Sequence, residues 1–317
     1  MERPILSARG AAGYLEALDN VLLLTHVRPD GDTIGSAAAL CRALRDCGQT
    51  AYLLPNPEIT ATYAPYAAPY WAPEGWQAEH IVSVDIADAS LLPENAQPYR
   101  DRIELAIDHH PSQTFFARNT CLEADSAACG EIVYEIIQHL TALTADIALP
   151  LYVAVSTDCG GFQYGNTTAR THRIAAALMD VVDVAAVNKA LFRTKSRVRL
   201  AMESRMVADM KLFDHQRVVV MEIPLSLRQE MQATDADIEE LSALPALVEG
   251  TDCGVTLREL RPGVIKISLR TGPRVDASAV CQRLGGGGHR AAAGATVDGT
   301  MDEVRQAVLQ AYQAVVG

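Results

Sequence analysis

Residues 20–36 read NVLLLTHVRPDGDTIGS. Four apolar residues, Val21–Leu24, followed by the polar pair Thr25-His26, form the pattern of a short strand buried on both faces. Beyond the loop, Gly35-Ser36 opens a helix, and apolar positions recur at helical spacing over 33–47. Strand, polar loop and helix then repeat. TAYLL (50–54), IVSVDIAD (81–88) and IELAIDHH (103–110) are further apolar runs, and the last two end in carboxylates and histidines. Helices are predicted over about 127–142 and from near Thr171. LPLYVAVSTDCGGF (149–162) reads as a helix or a strand running into a turn. Continuous apolar runs alternating with helices predict a parallel sheet with helices on both faces. Such sheets bind ligands at the carboxyl ends of their strands, where His26, Asp85 and Asp108–His110 fall.

The rest of the chain changes character. Residues 184–213 carry a helical pattern with many basic residues and read as a connector. VVVMEI (218–223), CGVTLREL (253–260) and VIKISLRT (264–271) read as strands, and the last two flank a Pro-Gly turn, so an antiparallel hairpin is expected. Helices follow near 276–284 and 302–315. The predicted architecture is α/β: an N-terminal parallel-sheet domain over 1–183, a helical connector over 184–213 and a smaller C-terminal α/β domain over 214–317. The aromatic stretch TYAPYAAPYWAPEGW (62–76) is expected to be a loop or lid. Its Tyr63, Tyr66, Tyr70, Trp71 and Trp76 suit either base stacking or plain packing.

A chain of 317 residues with 49% hydrophobic content has ample core for two domains. Its formal charge of −12 lacks the basic footprint of a protein that grips long nucleic acid. Acidity favours a small substrate, or carboxylates gathered to hold cations. The seven cysteines include no CxxC pair and read as reduced, mostly buried thiols. No apolar signal core and no run of about 18 apolar residues is present, so a soluble cytoplasmic protein is expected.

The loop His26-x3-Asp30-x-Asp32 gathers imidazole and carboxylate donors, a mixture that suits Mn²⁺, Zn²⁺ or Fe²⁺. Taken alone, Asp30-Gly31-Asp32 equally fits a turn with a helix cap. Asp85 ends an apolar run, where an unpaired carboxylate is unfavourable; Asp88 fits a helix cap. After Asp108, His109 and His110 point in opposite directions on an extended chain, so one can face a metal while the other faces substrate. Asp158 sits in STDCGGF, where glycines permit close approach. Convergence of Asp30, Asp32, Asp85 and Asp158 would be strongly repulsive without cations. Two divalent ions would neutralise the four carboxylates.

HVRPDGDTIGS, VDIAD, IDHH, STDCGGF and the later GGGGHRAAAG (285–294), in this order, resemble the DHH phosphoesterase family over nearly the whole chain. The resemblance implies that His26, Asp30 and Asp85 hold one ion. It implies that Asp32, Asp85, His109 and Asp158 hold the second, with Asp85 bridging. His110 would face the substrate phosphate and Asp108 would orient its neighbours. Cys159 stands where relatives often have Thr, as a buried spectator or a soft ligand.

The C-terminal part resembles the DHH-associated substrate domain. Gly286, Gly287 and Gly288 would expose backbone N–H groups to an anion, with His289 as a donor. Arg270 matches an arginine that the family uses for substrate. Between 252 and 290 there are seven basic residues against three acidic ones, a local excess of four on an acidic protein. The implied enzyme hydrolyses phosphoric esters with two divalent ions, Mn²⁺ for preference. The expected substrates are short oligoribonucleotides, cut to mononucleotides, and 3′-phosphoadenosine-5′-phosphate (pAp). A second copy of the chain is an expected partner and a membrane is not. Three other readings share parts of the motif set: a phosphodiesterase for pApA or cyclic di-AMP, a single-strand DNA exonuclease and a non-catalytic nucleotide sensor. A manganese pyrophosphatase shares the first-domain motifs but lacks the glycine-His loop.

Overall fold

The computed structural model describes residues 4–317, apart from the side chains of residues 239 and 240. The chain divides into two units between Thr194 and Lys195.

In the first unit, helix α1 (Ala8–Glu16) precedes strand β1 (Val21–Leu24), helix α2 (Gly31–Asp46) and strand β2 (Ala51–Leu53). Helix α3 (Ala64–Ala67) and strands β3 (His80–Val84), β4 (Ile103–Asp108) and β5 (Asn119–Leu122) follow, then helices α4 (Cys129–Leu140), α5 (Ala145–Asp158) and α6 (Ala169–Met179). The strands order as β2-β1-β3-β4-β5, all parallel. The chain steps outward from β1 to β2 and then returns to the other side of β1 for β3. The winding therefore reverses between β1 and β3, which opens a crevice at the carboxyl ends of those strands.

One sheet face packs Leu23, Val82 and Leu105 against Ile34, Leu40, Ile132 and Leu151 of the α-helices. The other packs Leu22, Leu24 and Ile81 under two 3₁₀ helices, Ala89–Leu91 and Glu94–Arg102. Each such leucine, fully buried, contributes roughly 1.5–3 kcal/mol. The segment 149–162 is thus helix running into a turn, and its close packing needs glycine. A Cβ on Gly35 of α2 would lie 2.2 Å from the Pro150 carbonyl oxygen of α5.

The aromatic segment 62–76 is packed. Trp71 bridges to Leu53, Trp76 meets Tyr52 edge-on at 4.9 Å, and the Arg45 guanidinium lies over Tyr52 and Tyr70. Tyr70 is buried, so the segment closes the sheet edge instead of standing free as a lid.

The connector pattern is not one helix. It contains α7 (Ala185–Asn188), a π turn (Lys189–Arg193) and α8 (Arg197–Ala208), and its last residues form strand β6 (Lys211–Phe213). Helical periodicity ends there because Lys211–Phe213 pairs antiparallel with β7 (Val218–Ile223). Beyond it come α9 (Leu225–Glu230), α10 (Asp235–Ile238), β8 (Cys253–Arg261), β9 (Val264–Thr271), α11 (Ala277–Gln282), β10 (Gly287–Gly288), β11 (Ala292–Asp298) and α12 (Met301–Val316). The second sheet orders as β10-β11-β9-β8-β7-β6, and only β7 and β8 run parallel. Alternation along β8 and β9 sends Val255, Leu257, Ile265, Ile267 and Leu269 into one core with α11 and α12. Met202 and Met206 of α8 pack with Val219 and Met221 in another. Among the described residues, no helix is long and apolar enough to cross a membrane.

Candidate metal centre

The loop after β1 does two jobs. Asp30 is the N-cap of α2: its Oδ1 accepts from the N–H groups of Asp32 and Thr33, so the helix-cap reading of the loop holds. The same cap fixes the loop so that His26, Asp30 and Asp32 surround the crevice. His26 Nδ1–H donates to the Val27 carbonyl at 2.8 Å, because a carbonyl can only accept, and this leaves Nε2 as the free donor atom. That Nε2 stands 3.7 Å from both Asp30 Oδ1 and Asp85 Oδ2. Asp32, one residue inside the helix, is fully buried. Its Oδ1 accepts from Ser36 Oγ and the Gly130 N–H, and its Oδ2 from the Cys129 N–H at 2.7 Å.

Asp85 follows β3 directly, with φ of 61°, a left-handed conformation that Asp tolerates better than most side chains. Its N–H still donates to the Ile107 carbonyl, which carries the β3–β4 ladder one residue further. The side chain is 3% exposed, and its Oδ1 has no hydrogen-bond partner among the described residues. A buried, unpaired carboxylate oxygen is a strongly unfavourable arrangement unless a cation completes it.

The two histidines do not diverge as an extended chain predicts: they lie beyond the last residue of β4, where strand alternation no longer applies, and their rings meet edge-on with centroids 4.6 Å apart. His109 Nδ1–H donates to the Ser126 carbonyl, freeing Nε2, which lies 3.5 Å from Asp85 Oδ1 and 3.8 Å from both Asp32 Oδ2 and Asp158 Oδ2. His110 Nδ1 lies 2.7 Å from Asp108 Oδ1 and 3.5 Å from Asp85 Oδ1, and the ring is part-exposed. Asp108 is fully buried; its Oδ2 accepts from Gln113 Nε2, which also donates to the Ile86 carbonyl. Asp158 is the last residue of α5.

Three ligand sets result, each with donor atoms mutually within 4.8 Å: His26–Asp30–Asp85, Asp32–His109–Asp158 and Asp85–His109–His110. The donors are carboxylate and imidazole, the mixture that suits borderline divalent cations. Burial pushes Asp85 well above the usual carboxylate range, reinforced by repulsion from Asp32, Asp30, Asp108 and Asp158. Burial does the same to Asp32, reinforced by Asp158 and Asp30 and only partly offset by the N–H groups of Cys129 and Gly130. Asp158 is raised for the same first reason. Protein groups alone therefore disfavour the ionised form of these carboxylates, and bound divalent cations would favour it. His110 is raised chiefly by its hydrogen bond to Asp108, which outweighs burial. Cys159 is buried with its thiol pushed up to about 12 by burial, and it enters none of the three ligand sets, which fits a spectator.

The remaining predicted residues lie in the second unit. Arg270 on β9 pairs across to Ala292 on β11, and its Nη1 donates to the Leu269 carbonyl. It lines a cavity of about 230 Å³ with Arg258, Lys266, Ser268 and Thr256. His289 N–H donates to the Ala292 carbonyl, so the turn after the glycines closes beside Arg270's strand partner. Two of the glycines answer to packing: a Cβ on Gly286 would lie 2.1 Å from the Gly294 carbonyl oxygen, and one on Gly288 2.7 Å from that of Ala292. Gly287 and His289 are exposed.

Several contributors escaped the sequence. Gln113 carries no motif. Ser36, one helical turn after Asp32, was open to an i+4 argument. The Ser126 carbonyl and the Cys129 and Gly130 N–H groups act through backbone, which side-chain identity does not announce.

The DHH family, N-terminal domain model matches residues 20–155, and the DHHA1 domain model matches residues 230–317. The chain is 31% identical over 312 residues to the bifunctional oligoribonuclease and PAP phosphatase NrnA of Thermus thermophilus, covering 96% of this chain and 93% of that one. It is 23% identical to the NrnA of Bacillus subtilis, covering 88% and 90%. The crystal structure of an exopolyphosphatase-related protein from Bacteroides fragilis matches with a TM-score of 0.87 at 22% identity, covering 97% of this chain and 95% of that one, a likeness of fold. With both domain models matched in order and a relative alike across nearly the full length, the chain belongs to the DHH family.

Proposed function

We propose that this protein hydrolyses phosphoric esters of short nucleotides, cutting oligoribonucleotides to mononucleotides and pAp to AMP, with two divalent cations, Mn²⁺ for preference. The observation that carries the reading is Asp85: a buried carboxylate that belongs to two ligand sets, with one oxygen that accepts no hydrogen bond among the described residues. The relatives named as oligoribonuclease and PAP phosphatase, similar over most of the chain, support the substrate class.

His26, Asp30 and Asp85 would hold one ion, and Asp32, Asp85, His109 and Asp158 the other. When bound, the ions supply Lewis-acid activation of water and charge neutralisation at phosphorus. His110, whose hold on a proton is strengthened by Asp108, donates a hydrogen bond or a proton to the phosphate or the leaving oxygen. Gln113 holds Asp108 in the orientation that this pairing needs. In the second unit, Arg270, the Gly286–Gly288 backbone and His289 recognise a substrate phosphate away from the scissile bond. We place the enzyme in the cytoplasm and expect it to form homodimers.

One product time course on Mn²⁺-loaded protein tests the reading. It compares pAp, pApA, cyclic di-AMP, 2–5-nucleotide RNA, long single-stranded DNA and pyrophosphate. Fast release of mononucleotides from the short RNAs and of AMP from pAp is expected. Preference for cyclic di-AMP or for long DNA would overturn the substrate assignment.

A further inference from the structure

The two three-residue ligand sets that would each hold an ion are supported unequally. His26, Asp30 and Asp85 are held by the Val27 carbonyl, the first turn of α2 and the Ile107 carbonyl. Asp32, His109 and Asp158 come from the start of α2, the end of β4 and the end of α5, and these elements share one support, segment 123–130. Its Ser126 carbonyl fixes the His109 tautomer. Its Cys129 and Gly130 N–H groups hold both oxygens of Asp32.

Asp158 has a weaker position, because a helix's last carbonyls lack intrahelical donors. Asp158 ends α5, and the turn that follows carries Gly160 and Gly161 at positive φ. The Asn166 side-chain amide supplies what is missing. Nδ2 donates to the Asp158 carbonyl at 3.1 Å and to the Ala127 carbonyl at 2.9 Å. One amide thereby ties the end of α5 to the segment that holds Asp32 and His109. On its other side the segment is clamped from α6: Arg170 Nη1 donates to Glu123 Oε2 and Ser126 Oγ, and Thr171 Oγ1 donates to the buried Glu131, the residue that follows the segment.

We infer that Asn166 is a positioning residue for one ion only, the ion held by Asp32, His109 and Asp158. It acts by registering Asp158 against the segment 123–130. The inference rests on the two-metal reading above. Asn166 is exposed, so its replacement leaves the core intact.

The test is Mn²⁺ titration followed by the EPR signal of free Mn²⁺, on wild type, Asn166→Ala, Asn166→Leu and His26→Ala, with melting in chelator alongside. Wild type is expected to bind two ions. Both Asn166 variants should weaken one ion by about 10–100-fold, the usual effect of losing an outer partner of a metal ligand. They should leave the other ion within about twofold, and leave melting in chelator unchanged. Combining Asn166→Ala with His26→Ala should weaken both ions. Wild-type affinity at both positions in Asn166→Ala would overturn the inference, as would equal weakening of both ions with a lowered melting point. Restoration by Asn166→Leu, which fills space without donating, would also overturn it. A wild type that binds fewer than two ions would instead overturn the two-metal reading beneath it.

Discussion

Asp108 Oδ1 lies 2.7 Å from His110 Nδ1, while Asp108 Oδ2 accepts from Gln113 Nε2 at 2.6 Å. The Asp108 carboxyl group is fully buried and the His110 ring is part-exposed. The hydrogen bond raises His110 above the ordinary histidine range, so the imidazolium persists to higher pH than that of a free histidine.

Asp108→Asn should lower the His110 pKa and move the alkaline limb of the kcat/KM profile to lower pH. NMR titration of the ring in chelator reports the first effect and initial rates report the second. His110→Ala should cost on the order of 10²–10⁴ in kcat, the usual contribution of a positioned acid. An unmoved limb in Asp108→Asn would remove the pairing from the mechanism.

The crowded carboxylates predict the pH dependence of the metal-free fold. Asp85 and Asp32 are raised well above the usual range by burial, so the folded state binds protons that the unfolded chain has released. Their stabilising contribution is full below the unfolded carboxylate pKa, about 4, and is lost as pH rises through the raised folded values. Asn at position 85 carries no charge at any pH. Asp85→Asn should therefore raise the melting point in chelator at pH 8, by about 2–4 °C per kcal/mol, and the gain should shrink toward pH 5. Mn²⁺ should reverse the order, stabilising wild type more than the variant. A gain independent of pH would point to packing in place of charge.

His289→Ala and Arg270→Ala should cripple hydrolysis of 2–5-nucleotide RNA while leaving Mn²⁺ affinity unchanged. Both should spare bis(p-nitrophenyl) phosphate, which has no second phosphate to recognise. Remote binding energy that positions the scissile bond is lost from kcat as well as KM, so both constants should worsen on RNA. Proportional losses on the small ester would move these residues into the reacting centre.

Much of this was legible in the chain because burial and chemistry conflict there. Asp85 and Asp108 end apolar runs, and four of the five strands of the first sheet follow from such runs; β5, NTCL, carries no such run and is set by its pairing with β4. β11 was not legible: AAGATVD has little strand propensity, and its conformation comes from its pairing with β9 over Ala292–Asp298. Lys211–Phe213 continued a helical charge pattern and became a strand only by pairing with Val218–Val220. The aromatic rim at 62–76 reads as a loop or a lid because composition does not reveal that Tyr52 and Arg45 pack against it. Gln113 and Asn166 escaped for a common reason: each works through a contact that only the folded chain brings together.

Turnover by wild type and Asp85→Ala on a 5′-phosphorylated RNA dinucleotide, with saturating Mn²⁺ and a chelated control, tests the central claim most directly. Asp85 belongs to the His26–Asp30–Asp85 set, and its Oδ1 lies 3.5 Å from His109 Nε2 of the other, so its loss should degrade both metal positions at once. Wild-type activity should vanish in chelator, and kcat for Asp85→Ala should fall by several orders of magnitude with the fold intact. Retention of more than about a tenth of wild-type kcat in Mn²⁺ would contradict the account.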